Sequence, residues 1–537
     1  MMRDIATRGI KKILFCSFLF VQMIFISCGA GGNGSSASAP PTSANPTGLM
    51  SVSFTDGPGD YDHVWITVKE VRFHTSDASG PDEPGWLKFP LAAPVTVDLI
   101  ALGNGSAPQS IWSNLTLPVG NYQQIRLLLV PTFASSPPAA HSYFNEVVIG
   151  SNTFPLRIPD AQHGIKLAGA LQVTAGGALH LAVDFDAGED IIDFRNGVEY
   201  VLKPRLTYFD LDDVGAIVGR IDAAAAGQNG NARFVFKAEQ LSADGKRHVV
   251  RRYSTLSDAT GQFVIYPLPS GPYDLLMRGI NYETVIIKNV PVTKGTTPTT
   301  NPTVVPPITM AAGADYTVTA SITSPTGAWV NFYQTLPGAG EVPYEVRFRH
   351  FNPLTGEFVT LHGQTSTFKL SNSPIRVGTY SSSAIQLTDT PPQEGVGGYQ
   401  AVADALLYDR SDPQSVNAAA PTVAFGALTV TTPWTGHSIA GTITVHSADQ
   451  NKMNRGVLFA VHGGMIIDAL NLDAQMLTGG SYTLANVPGG RPAAFYGVEA
   501  AGWSSTVPIT KAVALPAAVD LRSGNATGVD MEMIVLP

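Results

Sequence analysis

Short runs of alternating apolar and polar residues, each cut off by glycine, proline, asparagine or aspartate, recur from Gly48 onward. They constrain what this chain can fold into more than any other feature. The run His63-Val-Trp-Ile-Thr-Val-Lys-Glu-Val-Arg-Phe-His74 sets Val64, Ile66 and Val68 against Thr67 and Lys69. Tyr316-Thr-Val-Thr-Ala-Ser-Ile322 alternates in the same way. A period of two marks a half-buried strand. Beyond residue 27 no segment of helical length carries a 3.6-residue apolar period, and 53 Gly and 39 Pro supply turns throughout. Charged residues are only 14% of the chain. Many short strands joined by turns predict an all-β protein built of tandem β-sandwiches.

No disulfide is available to hold those sheets. The chain has two cysteines, Cys16 and Cys28. Cys16 lies in a leader: Arg3, Arg8, Lys11 and Lys12 form a basic head, and the largely apolar stretch 13–26 follows. That stretch, interrupted by Gln22, is shorter than the ~20 residues a membrane-spanning helix needs. A charged head, a short apolar core and a small residue before a cut describe an exported precursor. The end of the stretch, Phe25-Ile-Ser-Cys28-Gly29, resembles the lipobox of bacterial lipoproteins. The resemblance implies that residues 1–27 are removed and that Cys28 becomes the first mature residue, carrying acyl chains on sulfur and nitrogen. Gly29 in place of Asp favours the outer membrane. Residues 28–47 then form the lipidated cysteine and a flexible Gly/Ser/Pro tether. The mature chain keeps no spare thiol, so its domains hold together by burial alone.

At 537 residues the chain is too long for one core. Composition shifts and turn clusters place domains at 48–212, 213–312, 313–435 and 436–537. Within the first, FTDGPGDYDHVWITVKEV, VDLIALGNG, LPVGNYQQIRLLL and DFDAGEDI with YVLKPRL stand in that order. In this they resemble the bacterial domain-of-unknown-function 4382 family, which implies a sandwich-like domain of exported proteins and no assigned activity. In the second, Thr260-Gly-Gln-Phe263-Val-Ile265-Tyr-Pro-Leu-Pro-Ser-Gly271-Pro-Tyr273-Asp-Leu275 resembles the carboxypeptidase regulatory-like, transthyretin-like domain. Gly480-Ser-Tyr482-Thr-Leu484-Ala-Asn-Val487-Pro-Gly-Gly490 looks like a second copy. The expected sandwiches are therefore of immunoglobulin-like or transthyretin-like form. Residues 313–435 match no family on this reading.

Net charge is −9, and loss of the leader takes four basic residues and one acidic, leaving the mature chain near −12. That excludes nucleic acid as a partner and electrostatic docking on anionic lipid. Metalloprotease, nucleophile-elbow and phosphate-loop motifs are all missing. Gly245-Lys246-Arg247 reads as a hairpin turn. Asp56, Asp60 and Asp62 flank Gly57-Pro58-Gly59. They are candidate Ca²⁺ ligands, or the aspartates simply build the turn. Asp184, Asp186, Glu189, Asp190 and Asp193 form a second acidic cluster, expected to be a solvated face. Among six tryptophans, Trp65 alone takes a polar slot in an alternating strand, which makes it the candidate ligand-binding platform for a sugar ring.

The expectation is a lipid-anchored protein of the outer membrane, without catalytic residues or a required cofactor. It acts as a binding or adhesion module whose partner is a glycan or an envelope protein. The alternative is a structural spacer of an envelope complex; an enzyme with an unrecognised site has no motif behind it. Three acyl chains hold a protein far more firmly than one, at ~0.8 kcal/mol per buried CH₂. Cys28→Ser is therefore expected to abolish palmitate labelling and detergent partitioning; equal fractionation of mutant and wild type would contradict the leader reading.

Overall fold

The computed structural model describes residues 46–534 apart from 168, 195–197, 223–224, 226–232, 352–353, 356–357, 360–363, 447–452, 504–510 and 515–516. The leader, Cys28 and the tether lie outside the described residues. The fold is all-β, 57% strand and 2% helix. Among the described residues no helix is long and apolar enough to cross a membrane.

The alternation read in the sequence becomes paired sheets. In the first sandwich Thr47–Asp56 is central: it pairs in parallel with Ala178–Phe185 and antiparallel with Gln109–Pro118. The facing sheet is organised on His63–His74, which pairs with Leu87–Asp98, Gln124–Leu129 and Glu146–Ile149. Val64, Ile66 and Val68 point inward and are fully buried, joined by Phe54, Phe73 and Phe185 in one core.

Three further sandwiches share one strand order. In each, the opening strand pairs antiparallel with one neighbour and in parallel with a strand late in the unit. The opening strands are Val214–Arg220, Asp315–Ser324 and Thr435–Val445. In each facing sheet the next strand, Val235–Leu241, Trp329–Gln334 or Arg455–His462, again sits between two antiparallel partners. The third segment, which matched no family by sequence, thus repeats the topology of its neighbours. It also lends Ile375–Thr379 and Thr388–Thr390 to the edge of the second sandwich's sheet, the former pairing in parallel with Thr284–Val292.

These sandwiches are not beads on a string. Residues 46–537 form one compact unit. A single apolar core runs from Leu276 and Ile286 of the second sandwich through the third and into the fourth. The chain also returns on itself. Phe194 and Val201 of the first sandwich pack with Phe459, Ala501 and Trp503 of the fourth. There the Lys166 amide donates to the Gly463 carbonyl at 2.8 Å.

Phe263, Ile265, Tyr273 and Leu275 share the buried face of the second sandwich. The Phe263 ring stacks on Phe236 with centroids 4.0 Å apart and planes 11° apart. The Tyr273 hydroxyl donates to the Pro269 carbonyl at 2.8 Å across the turn at Gly271, whose φ is +138°. Truncating a buried Phe costs ~3–5 kcal/mol. In urea titration of the soluble chain from residue 46, Phe263→Ala is expected to lower the midpoint markedly, while Lys246→Ala on the Ser242–Arg247 hairpin leaves it in place. Equal midpoints would show that Phe263 carries no core packing.

Candidate functional site

Where the first three sandwiches meet, the chain buries charge. The strand Ala178–Phe185 runs into a single helical turn, Ala187–Asp190, because the Asp186 carboxylate accepts the Glu189 amide at 3.1 Å and caps it. Gly188 is obligatory there: a Cβ would meet the Pro58 carbonyl oxygen at 2.3 Å and the Tyr253 hydroxyl at 2.5 Å. The turn directs its carboxylates into the junction. Asp56 Oδ1 accepts the Ala187 amide at 2.9 Å, and Asp190 Oδ2 accepts the Arg205 amide at 2.8 Å.

The second sandwich answers with Arg252 and Tyr253, on the strand His248–Ser254. Arg252 is buried; its guanidinium donates to the Asp184 carboxylate, to Thr55 Oγ1 at 2.7 Å and to the Asp56 carbonyl at 2.6 Å. The Tyr253 hydroxyl contacts the Asp186 carboxylate and lies 2.9 Å from the Pro58 carbonyl. The third sandwich packs the Phe348 ring under the Arg205 guanidinium at 3.6 Å and brings His350 Nε2 to 3.7 Å from Asp190 Oδ1. The expectation of a solvated acidic face is thus overturned. The cluster is packed under two other sandwiches, and Arg252 of the second together with Arg205 of the first offsets its charge.

Burial sets the electrostatics. It pushes the carboxyls of Asp56, Asp184, Asp186 and Asp190 up, and Glu189 up to about 7, helped by neighbouring Asp186. Burial also pushes the Lys203 amine down to about 7 and the Arg347 guanidinium down to about 9. Asp56 Oδ2 is shut from solvent with no hydrogen-bond partner, and such burial is what disfavours its charge.

Around this network lies a cleft of about 820 Å³ with walls from three sandwiches. Glu189 and Asp193 come from the first, Tyr253 and Arg278 from the second, Arg347 and Lys369 from the third. On the far side of Tyr253 a second recess of about 320 Å³ is lined by Asp184, Arg252 and Glu345.

The candidate Ca²⁺ ligands do not converge. Asp56 is buried and engaged at Ala187. Asp60 points outward and pairs with Arg233 at 3.0 Å, and Asp62 accepts the Gly150 amide at 2.5 Å. Among the described residues no three His, Cys, Asp or Glu side chains are arranged to hold a metal. Each aspartate is engaged by a partner outside the turn.

Trp65 is half-buried. Its ring stacks against His63 at 5.6 Å and meets the edge of His141 at 4.9 Å. Both imidazoles are held by carboxylates of the adjoining strands, His63 by Asp98 and His141 by Glu146, each at 2.7 Å. Trp86, Trp112 and Trp503 are buried.

Sequence reasoning missed Arg252, Tyr253, Arg278 and Arg347. One signal was present. Arg347 and Arg349 alternate with Val346 and Phe348, so they share the polar face of their strand. Nothing local marks Arg252, whose partner Asp184 is 68 residues away.

Residues 47–204 match the family described as "Domain of unknown function (DUF4382)", in agreement with the resemblance drawn from the four motifs. No curated protein matches the chain. Among solved structures it is similar to the Bacillus anthracis TIE protein, at 9% identity, covering 93% of this chain and 76% of that one, with a TM-score of 0.14. Two B repeat units of the collagen-binding protein of Staphylococcus aureus match at 8% identity, covering 91% and 99%, with a TM-score of 0.13. The full-length major pilin SpaD of Corynebacterium diphtheriae matches at 10% identity, covering 61% and 99%, with a TM-score of 0.13. At these TM-scores the three carry no argument about this chain.

Each raised carboxyl contributes a pH dependence of definite sign. Glu189 titrates near 7 in the folded chain against an ordinary 4.5. Between those values the folded state holds the proton that the unfolded chain has lost, so stability falls as pH rises. Glu499, also pushed up to about 7 by burial, acts in the same direction. His248, His350 and His462, pushed down by desolvation, act in the opposite direction up to about pH 6.5. The check is therefore a difference: from about pH 5 to about pH 7 the wild type is expected to lose melting temperature relative to Glu189→Gln. A difference between the two that stays constant across this range would contradict the assignment.

Proposed function

We propose that this chain is a lipid-anchored protein of the outer membrane that binds a ligand without transforming it, in the cleft between its first three sandwiches. The leader and Cys28 support the anchor, and residues 28–47 supply the reach. The cores around Phe263 and Tyr482 support reading the second and fourth sandwiches as carboxypeptidase regulatory-like modules. The observation that carries the binding reading is the cleft itself. Its volume of about 820 Å³ falls within the range of small-ligand sites. A spacer needs rigid junctions but no such recess. Trp65, half-exposed between two carboxylate-held histidines, supports a second reading, a glycan platform on the first sandwich.

A glycan array probed with the soluble chain from residue 46 tests both. Thr317, exposed on the cleft wall, is replaced by Trp to fill the recess. If the cleft is the site, Thr317→Trp abolishes capture without lowering the melting temperature, and Trp65→Ala leaves capture intact. The reverse pattern assigns binding to the Trp65 face. Capture unaffected by either change, or no capture by the wild type, contradicts both readings and returns the protein to the spacer alternative.

A further inference from the structure

The third sandwich turns a basic wall toward the cleft. Arg347 and Arg349 project from one face of the strand Tyr344–His350, and Lys369 stands on Gln364–Ser371 opposite Thr317. All three line the recess, as do Arg278 and the hydroxyls of Thr317 and Thr367. This wall is cationic in a chain whose net charge is −9.

Those cations are unpaired. Among the described residues the side chains of Arg347, Arg349 and Lys369 make no hydrogen bond or ion pair. Arg347 Nε is shut from solvent and has no acceptor. Arg278 is 8% exposed and donates one Nη2 hydrogen bond, to the Lys369 carbonyl at 3.2 Å. His350, 4% exposed on the same recess, has neither ring nitrogen hydrogen-bonded. A buried guanidinium without an acceptor is costly, and such groups are ordinarily satisfied by a carboxylate, a phosphate or water.

Resting on the reading of the cleft as the binding site, we infer that it recognises an oxyanion, a carboxylate, sulfate or phosphate carried by the ligand, bound by Arg347 with Arg349, Lys369 and Arg278. Guanidinium forks suit planar or tetrahedral oxyanions because two N–H groups can bond at once. The threonine hydroxyls add neutral donors beside them.

The acids that face this wall are Glu189 and Asp193 from the first sandwich and Asp315 from the third. Asp60 is taken up by Arg233 at 3.0 Å. Asp193 has a partner of its own. Burial pushes Glu189 up to about 7 and raises Asp315, which the Arg278 guanidinium and the Asn281 amide act to lower. Glu189 is therefore only partly ionised near neutral pH, whereas Arg347 stays charged with its value near 9.

Calorimetric titration of the soluble chain from residue 46 tests the inference. The probes are trigalacturonate, its neutral methyl ester, inorganic sulfate and inorganic phosphate, each at low and high salt. At least one anion is expected to bind, more weakly as salt rises, and the ester not at all. Arg349→Gln, at an exposed position that folding tolerates, and Arg347→Gln are each expected to weaken binding about tenfold or more, the scale of one charge-assisted hydrogen bond. Thr317→Trp is expected to abolish it.

An ester that binds as tightly as the acid, or arginine variants that bind like wild type while Thr317→Trp does not, overturns the anion inference and leaves the cleft reading standing. Anion binding untouched by Thr317→Trp overturns the cleft as the site. Failure of every anion to bind overturns the inference and makes Glu189 the partner of Arg347. The glycan array then judges the cleft independently.

Discussion

Arg252 joins the molecule. One guanidinium from the second sandwich reaches into the first and meets a carboxylate, a hydroxyl and a backbone carbonyl there. Taking an arginine and an aspartate out of water is expensive, and the pair recovers that cost only when geometry and extra hydrogen bonds are good. Here they are, because Tyr253 and the Asp186-capped turn close the rest of the junction. The site also requires small residues. A Cβ on Gly105, whose φ is +85°, would stand 2.3 Å from Val264 of the second sandwich. Buried charge sets the register of the two sandwiches, and close backbone approach makes it tight.

The same logic runs through the other junctions in different chemistry. Between second and third, His248 stacks on Tyr344 at 3.8 Å, the Tyr344 hydroxyl donates to Asp274 at 2.6 Å, and the Glu345 amide donates to Glu239 at 3.1 Å. Between third and fourth, Thr326 donates to Asp468 at 2.8 Å beside a continuous apolar core. Between first and fourth, Asp160 packs on Gly497, and its amide lies 3.3 Å from Glu499. With no disulfide in the described sheets, burial and hydrogen bonding alone hold one unit of four sandwiches, and the cleft is what their packing leaves open.

Much of the fold was legible because strand alternation is local. Val64, Ile66 and Val68 announce their inward face, and so do Phe263, Ile265, Tyr273 and Leu275. What escaped was set by partners distant in sequence. Ile375–Thr379 reads as a strand of the third segment, yet it completes an edge of the second, because a parallel pairing leaves no turn signature. The third sandwich shares its neighbours' strand order without their Gly-x-Phe or Gly-x-Tyr motif at the strand paired with its opening one, so topology persists where the motif does not. The site was least legible. Asp184 to Asp193 look like a solvated face until Arg252 and Arg205 are placed beside them, and Asp56, Asp60 and Asp62 look like a cation loop until their side chains are seen to diverge. Trp65 was legible as a ring in a polar slot with His63 on the same face, but His141, which covers its other side, comes from a segment distant in sequence.

The central claim is that the Arg252 junction makes the first sandwich part of one cooperative body. Scanning calorimetry of the soluble chain from residue 46, as wild type and as Arg252→Met, tests it most directly. Methionine keeps much of the side-chain volume and leaves Asp184 buried and unpaired, a change that typically costs ~3–5 kcal/mol. The wild type is expected to unfold with the first sandwich coupled to the second and third, and Arg252→Met to split off a separate, lower-temperature transition for the first. A wild-type trace already resolved into independent transitions, or an Arg252→Met trace that superimposes on it, would contradict the account.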